Sequence, residues 1–142
     1  MENKRDRICI IMAGYKKEME QVLEMNRGLS SRINYYIDFE DLSSEQLYNI
    51  FTKLCKEENY KLQPTIKKLL ITYFESAIKQ EHFSNGRLVR NIFDHTKIEQ
   101  ANRISSDQNA NVNLITKTDI TNVLKEFQRQ QTTEKIKIGF NV

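Results

Sequence analysis

A chain of 142 residues with 22 Lys and Arg against 19 Asp and Glu carries a formal charge of +3. Its length suits one ordinary domain or two small ones, and its charge is too small by itself to mark a nucleic-acid binder. With 39% hydrophobic and 29% charged residues it is no disordered tail, and its longest apolar run, Ile8 to Ala13, falls far short of the ~18 residues that cross a bilayer.

The opening also lacks the long apolar stretch of a secretion signal, so a cytoplasmic location is expected. The first element predicted is a strand over Arg7 to Ala13, apolar on both faces through Ile8, Cys9, Ile10, Ile11 and Met12, as in the middle of a parallel sheet. A helix over Lys16 to Met25 follows, with Tyr15, Met19, Val22 and Leu23 along one face. After a loop, Asn26 to Arg32, Ile33, Tyr35, Ile37 and Phe39 alternate with polar or half-polar neighbours and predict a second strand.

Beyond Leu42 no further strand is expected, and four helices account for most of the remainder. Ser43 and Gln46 make a capping box ahead of Leu47, Ile50, Phe51, Leu54 and Cys55. Pro64, at a first helical position, introduces Ile66, Leu69, Leu70, Tyr73, Phe74 and Ala77. Asn85 and Gly86 precede a long helix carrying Leu88, Val89, Ile92, Phe93 and Thr96, with Ala101 and Ile104 further on. Ser105 to Asn113 is a polar loop, and Thr116 with Asp119 caps a last helix through Ile120, Val123, Leu124 and Phe127. The aromatic residues Phe51, Tyr73, Phe74, Phe93 and Phe127 read as core. Cys9 and Cys55, the only cysteines, read as small buried hydrophobes. With His82 and His95 the only histidines, no zinc spacing is present and no metal site is assigned. Glu57 and Glu58 have no apolar setting and receive no acid or base role. Lys67 and Lys68 read as solvated.

The chain thus divides near Asp41 into an α/β piece and a helical bundle, followed by a polar stretch, Gln128 to Glu134, and a short apolar ending, Ile136 to Phe140. Two strands cannot form a sheet covered on both faces, because Ile8 to Met12 demands neighbours that residues 1–41 do not contain. A missing upstream segment is therefore expected.

The succession MENKRDRICIIMAGYKKEM, NRGLSSRINYYIDF, SSEQLYNIF, SNGRLVRNIFDHTKIEQANR, LITKTDI and KIGF resembles, in order and over nearly the whole chain, the C-terminal half of the CbbX and stage V sporulation protein K family of AAA+ ATPases. The resemblance implies a mostly α fold. Residues 1–41 would be the end of the AAA+ α/β nucleotide-binding domain, two strands and a helix; residues 42–129 would be a four-helix lid, and 130–142 a C-terminal tail. It implies ATP and Mg2+ as cofactors of a complete module. It also implies partner AAA+ subunits in a homo-oligomeric ring, a hexamer in the family, and a protein substrate that is remodelled; members include an activator of red-type Rubisco. No nucleic-acid or membrane partner is implied. The phosphate-cradling Gly-x-x-x-x-Gly-Lys loop and the acidic strand end that holds Mg2+ are both absent from this sequence. Met1 falls where the family has an internal Met-Glu pair, so the chain is expected to be a fragment or split part, without tight nucleotide binding or hydrolysis alone.

Three candidate residues carry over from the family. Arg32, in the Ser-Arg pair before the second strand, matches the trans-acting arginine finger, whose guanidinium would neutralise charge on the γ-phosphoryl group of a neighbour's ATP. A surface Arg closing the loop is the plainer alternative. Arg27 stands where the family has Pro. Arg87, in Asn85-Gly86-Arg87, matches the sensor 2 arginine of the lid, and Arg90, one turn on, is its alternative or accessory cation; here the plainer alternative is a solvated basic helix start. Sensor 1 has no clear counterpart at Ala13, Gly14 and Tyr15, although Tyr15 could fill the role. Two other functions compete with an ATPase component. One is a non-catalytic helical interaction module derived from an AAA+ lid; the other is a nucleic-acid binder using Lys4, Arg5, Arg7, Arg27 and Arg32.

Overall fold

Where a sequence places apolar residues three and four apart and offers them a partner face, it forms helices, and helices make up most of this chain. The computed structural model describes residues 9–80, 83–107 and 109–137, without the side chains of Arg27 and of residues 131–137. The basic start at Lys4, Arg5 and Arg7, the first residues of the expected first strand, His82 and the ending at Phe140 lie outside the described residues. The chain forms two units, Met1–Glu40 and Asp41–Val142.

The first unit holds α1 (Lys16–Met25) and the one-turn α2 (Arg27–Ser30). Helix α1 lies where the apolar spacing puts it, and Asn26 closes it with an N–H bond to the Leu23 carbonyl. The two expected strands differ from the sequence reading: residues 9–15 and 33–43 belong to no ladder. Ile11, Tyr35, Ile37 and Phe39 are exposed, and so is Cys9, against the expectation of burial. The reason is that a strand exists only through its neighbours. Apolar runs mark residues that can fill a sheet, but their backbone groups need a ladder that the described part of this unit does not supply.

The second unit carries α3 (Ser44–Glu57), β1 (Lys61–Leu62), α4 (Ile66–Ala77), α5 (Gly86–Ser106), β2 (Leu114–Ile115) and α6 (Lys117–Lys137). The capping box of α3 is complete: the Ser43 hydroxyl accepts from the Gln46 N–H, and the Gln46 side chain accepts from the Ser43 N–H at 2.9 Å. Helix α3 ends on Asn59, whose φ of 62° lets the Asn59 and Tyr60 N–H groups return to the carbonyls of Lys56 and Cys55. That reversal lays Tyr60 against the edge of Phe93. Pro64, expected at the first helical position, stands two residues before it, in the turn ahead of the N-cap Thr65 of α4. Helix α6 continues past Phe127 to Lys137.

The core is the sum of the four apolar stripes. Leu47, Phe51 and Cys55 of α3 meet Ile66, Leu70 and Phe74 of α4, and Val89, Ile92 and Phe93 of α5 meet Ile120 and Val123 of α6. Phe51 and Phe93 cross edge to face at 5.8 Å. Thr96, fully buried on α5, satisfies its hydroxyl by donating to the Ile92 carbonyl at 2.7 Å. An element that the periodicity does not reveal is the parallel pairing of β1 with β2, Lys61 opposite Leu114 and Leu62 opposite Ile115. It joins the α3–α4 connection to the α5–α6 connection. Gln63 extends the tie by accepting from the Lys117 N–H at the start of α6. Two residues per strand are too few for sequence alternation to register.

Candidate functional site

The start of α5 is built by residues far apart in sequence. Asn85, its N-cap, has φ 47° and ψ −124°, a conformation costly for a residue with a side chain, about 1–3 kcal/mol. An N-cap side chain ordinarily accepts from the second or third helical N–H. Here it makes no such bond. Its amide instead reaches back to the beginning of the unit: Oδ1 accepts from the Leu42 N–H at 2.8 Å, and Nδ2 donates to Asp41 Oδ1 at 2.6 Å. Gly86 follows with open space where a Cβ would stand, so the backbone of the first turn can be closely approached.

Arg87 on this turn and Arg90 one turn on stand exposed, and neither guanidinium has a partner among the described residues. The Arg87 N–H is held by the Ser84 carbonyl at 3.0 Å. Two guanidinium groups one turn apart, on a helix start whose N–H groups the N-cap side chain leaves uncapped, form an electropositive corner suited to an anion.

Arg32 lies in the first unit, immediately after α2. Its guanidinium folds back so that Nη1 donates to the Gly28 carbonyl at 2.6 Å, and a Cβ on Gly28 would meet that nitrogen at 3.2 Å. The glycine therefore permits the close return of the arginine, and Asn26 steadies the same turn by accepting from the Leu29 N–H. The side chain is exposed, and this bond to a neutral carbonyl engages one of the five N–H donors of the guanidinium. Tyr15 is the N-cap of α1 and is also exposed.

The match to known sequences then decides the family: residues 43–133 fit the AAA lid domain. The chain belongs to the AAA lid domain family. Among curated relatives, the CfxQ homologue of Galdieria sulphuraria is 39% identical over 126 residues, 89% of this chain and 40% of that protein. The CbbX protein of Cereibacter sphaeroides is 38% identical over 104 residues, 73% of this chain and 34% of the relative. The chloroplastic ribulose bisphosphate carboxylase/oxygenase activase of Cyanidioschyzon merolae is 39% identical over 104 residues, 73% and 36% of the two chains. The chain spans about two fifths of the length of the curated relatives it matches. The resemblance to the C-terminal part of CbbX-type AAA+ proteins is thus shown, and α3 to α6 are an AAA+ ATPase lid-type region.

Within the AAA lid, the best-satisfied polar cluster lies at the other end of α5. Arg103 Nε and Nη2 bond both carboxylate oxygens of Asp119, at 2.9 and 3.2 Å, and Nη2 also donates to the Leu114 carbonyl. Asp119 is buried and accepts in addition from the Thr116 N–H at 2.8 Å. Gln100, also buried, donates to the Val112 carbonyl. With every partner placed, the cluster is structural: it fixes the α5–α6 corner. The Thr116–Asp119 cap is legible in sequence; the part of Arg103 is not, since its partner lies across a loop. Lys97 bonds Glu58 and Asp94 on the outside of α5. Burial opposes its charge, but the two carboxylates outweigh that and raise its pKa. Lys67, expected to be solvated, pairs with Glu45 at 3.3 Å and lies over the Tyr48 ring while remaining half exposed. Among the described residues no helix is long and apolar enough to cross a membrane.

Proposed function

We propose that this chain works as the lid-bearing part of a CbbX-like AAA+ ATPase that couples ATP binding and hydrolysis to remodelling of a partner protein. In this reading Arg87, with Arg90 as accessory cation, contacts the nucleotide of its own subunit, and Arg32 serves the nucleotide of the neighbour. Two observations support the reading: residues 43–133 match the AAA lid, and Arg87, which the resemblance aligns with the sensor 2 arginine, is exposed on a helix start that the N-cap side chain does not cap. ATP and Mg2+ belong to the complete module. Arg87 and Arg90 would share in holding the ATP phosphates, and the chemistry the nucleotide would supply is phosphoryl transfer. Charge neutralisation by Arg32 would act mainly in the transition state, and binding by Arg87 would act in the ground state too. A ring of AAA+ subunits and a protein substrate follow from the same reading. The name of one relative, a ribulose bisphosphate carboxylase/oxygenase activase, points toward a carboxylase-related substrate.

The test is turnover in a complete module, this chain joined behind a core that carries the phosphate loop. Arg32→Ala should leave ATP affinity nearly intact and lower kcat by about a thousandfold, whereas Arg87→Ala should weaken both nucleotide binding and turnover. In mixed assemblies, an Arg32→Ala subunit should recover turnover in its own pocket when a wild-type neighbour supplies the arginine. An Arg87→Ala pocket should stay defective. Full activity of Arg32→Ala, or identical behaviour of the two variants in mixtures, would overturn the finger assignment and direct attention to Arg27. A chain that binds a partner protein without any nucleotide dependence would instead be the non-catalytic interaction module.

A further inference from the structure

Asn85 is spent in an unusual way. A cap residue gives its side chain to its own helix, yet both ends of this amide are used 43 and 44 residues away, on Leu42 and Asp41. These two residues begin the second unit, immediately after Glu40. The pair of bonds needs an acceptor and a donor on one short side chain. Asp would lack the donor, Gly would suit the φ of 47° but bring neither group, and Ala would bring neither and strain the backbone. The next residue, Ser43, is the N-cap of α3, and Leu42 packs against the core. Three things therefore meet at Asn85: the chain arriving from the first unit, the start of α3 and the start of α5. Arg87 rides on that same turn, two residues further on.

We propose that Asn85 is a positioning residue, a latch that holds the first turn of α5 and the Arg87 on it to the residues by which the chain enters its second unit. An anion drawn to Arg87 is then felt at Leu42 through the Asn85 amide. The ligand half of this statement rests on the reading of Arg87 as a nucleotide contact; the latch itself rests on the two hydrogen bonds and the backbone angle.

The experiment is amide hydrogen exchange and NMR titration of the full 142-residue chain. Asn85→Asp keeps the acceptor for the Leu42 N–H but sets a second carboxylate against Asp41, so Leu42 exchange should accelerate about tenfold, while Ile92 and Phe93 in the middle of α5 exchange as before. The double variant Asp41→Asn with Asn85→Asp restores a donor facing an acceptor and should return Leu42 to near wild-type protection, a rescue that loss of helix stability alone would not give. If Asn85→Asp does not fold, Asn85→Gly, which suits the positive φ, takes its place and should accelerate Leu42 in the same way. In the titration, millimolar ATP should shift the amides of Gly86 to Leu88 and that of Leu42 in the wild type. In Asn85→Asp the first set should respond and Leu42 should not. Unchanged Leu42 exchange in a folded Asn85 variant, or failure of the double variant to restore it, overturns the latch. Absence of any ATP response at Gly86 to Leu88 in the wild type counts against the nucleotide reading instead, and leaves Leu42 exchange to decide the latch.

Discussion

The two cysteines differ in what surrounds them, and their chemistry should differ accordingly. Cys55 sits in the core of the second unit, and burial pushes its thiol up to about 12, with the Glu58 carboxylate adding to the rise. Cys9 is exposed. One thiol of the native protein should therefore react rapidly with a maleimide at neutral pH and the second only after denaturation, so two fast thiols would contradict the burial of Cys55. The same shift has a pH signature. The folded state holds the neutral thiol, whereas the unfolded chain releases the proton from the ordinary 9.0, so this contribution to stability is intact below pH 9 and is lost as pH rises toward 12. Urea midpoints of the wild type and of Cys55→Val should accordingly diverge above pH 9, with the wild type losing stability faster. Asn59 and Asn85, the two non-glycine residues with positive φ among those described, are also decided at this scale. Asn tolerates the left-handed region better than other side chains, and each marks a place where a helix starts or stops.

Caps and corners decide the elements. The Ser43–Gln46 box of α3 is a local device on an exposed helix start, and Ser43→Ala should cost about 1 kcal/mol. The Thr116–Asp119 box at α6 is different, because Asp119 also receives the two-pronged bond from Arg103. Removing the carboxylate leaves a guanidinium a quarter exposed and the Thr116 N–H without its acceptor. Asp119→Ala should therefore cost about 3 kcal/mol, clearly more than Ser43→Ala. Thermal or urea denaturation of the two variants checks the order, and equal losses would mean that the Arg103 pair contributes nothing beyond an ordinary cap. The short β1–β2 ladder and the Gln63 bond to the start of α6 make the same corner stiff from the other side.

For the whole molecule the two units should differ in protection. The second has a continuous core from α3 to α6, and the first shows Ile11, Tyr35, Ile37 and Phe39 exposed and in no ladder. Hydrogen exchange should find Leu47, Ile92 and Val123 slow, and residues 9–13 and 33–39 fast. Slow exchange at residues 9–13 in a monomer would mean that a sheet is completed there; protection only at high concentration would point to pairing of strand edges between copies. Phosphate release by the chain alone should equal a blank, since phosphoryl transfer needs a phosphate loop and no Gly-x-x-x-x-Gly-Lys motif occurs in this sequence. Mg2+-dependent turnover by the purified chain would overturn that expectation.

The four helices from α3 to α6, their buried faces and both capping boxes were readable from the residues alone, because helix periodicity and caps depend on neighbours three or four positions away. The resemblance carried by the motifs around Arg32 and Arg87 was readable for the same reason: those motifs are contiguous. The strands were not. An alternation such as Ile33 to Phe39 says which residues could face a core, whereas a ladder requires another stretch of backbone alongside, and only the tertiary structure tells that these segments have none among the described residues while Lys61 and Leu114 do. It also decided that Arg103 belongs to Asp119, that Arg32 rests on Gly28, and that Asn85 serves Leu42 and Asp41 rather than its own helix. The Arg103 and Asn85 bonds join residues far apart along the chain, so their partners are set by packing, which no local pattern encodes.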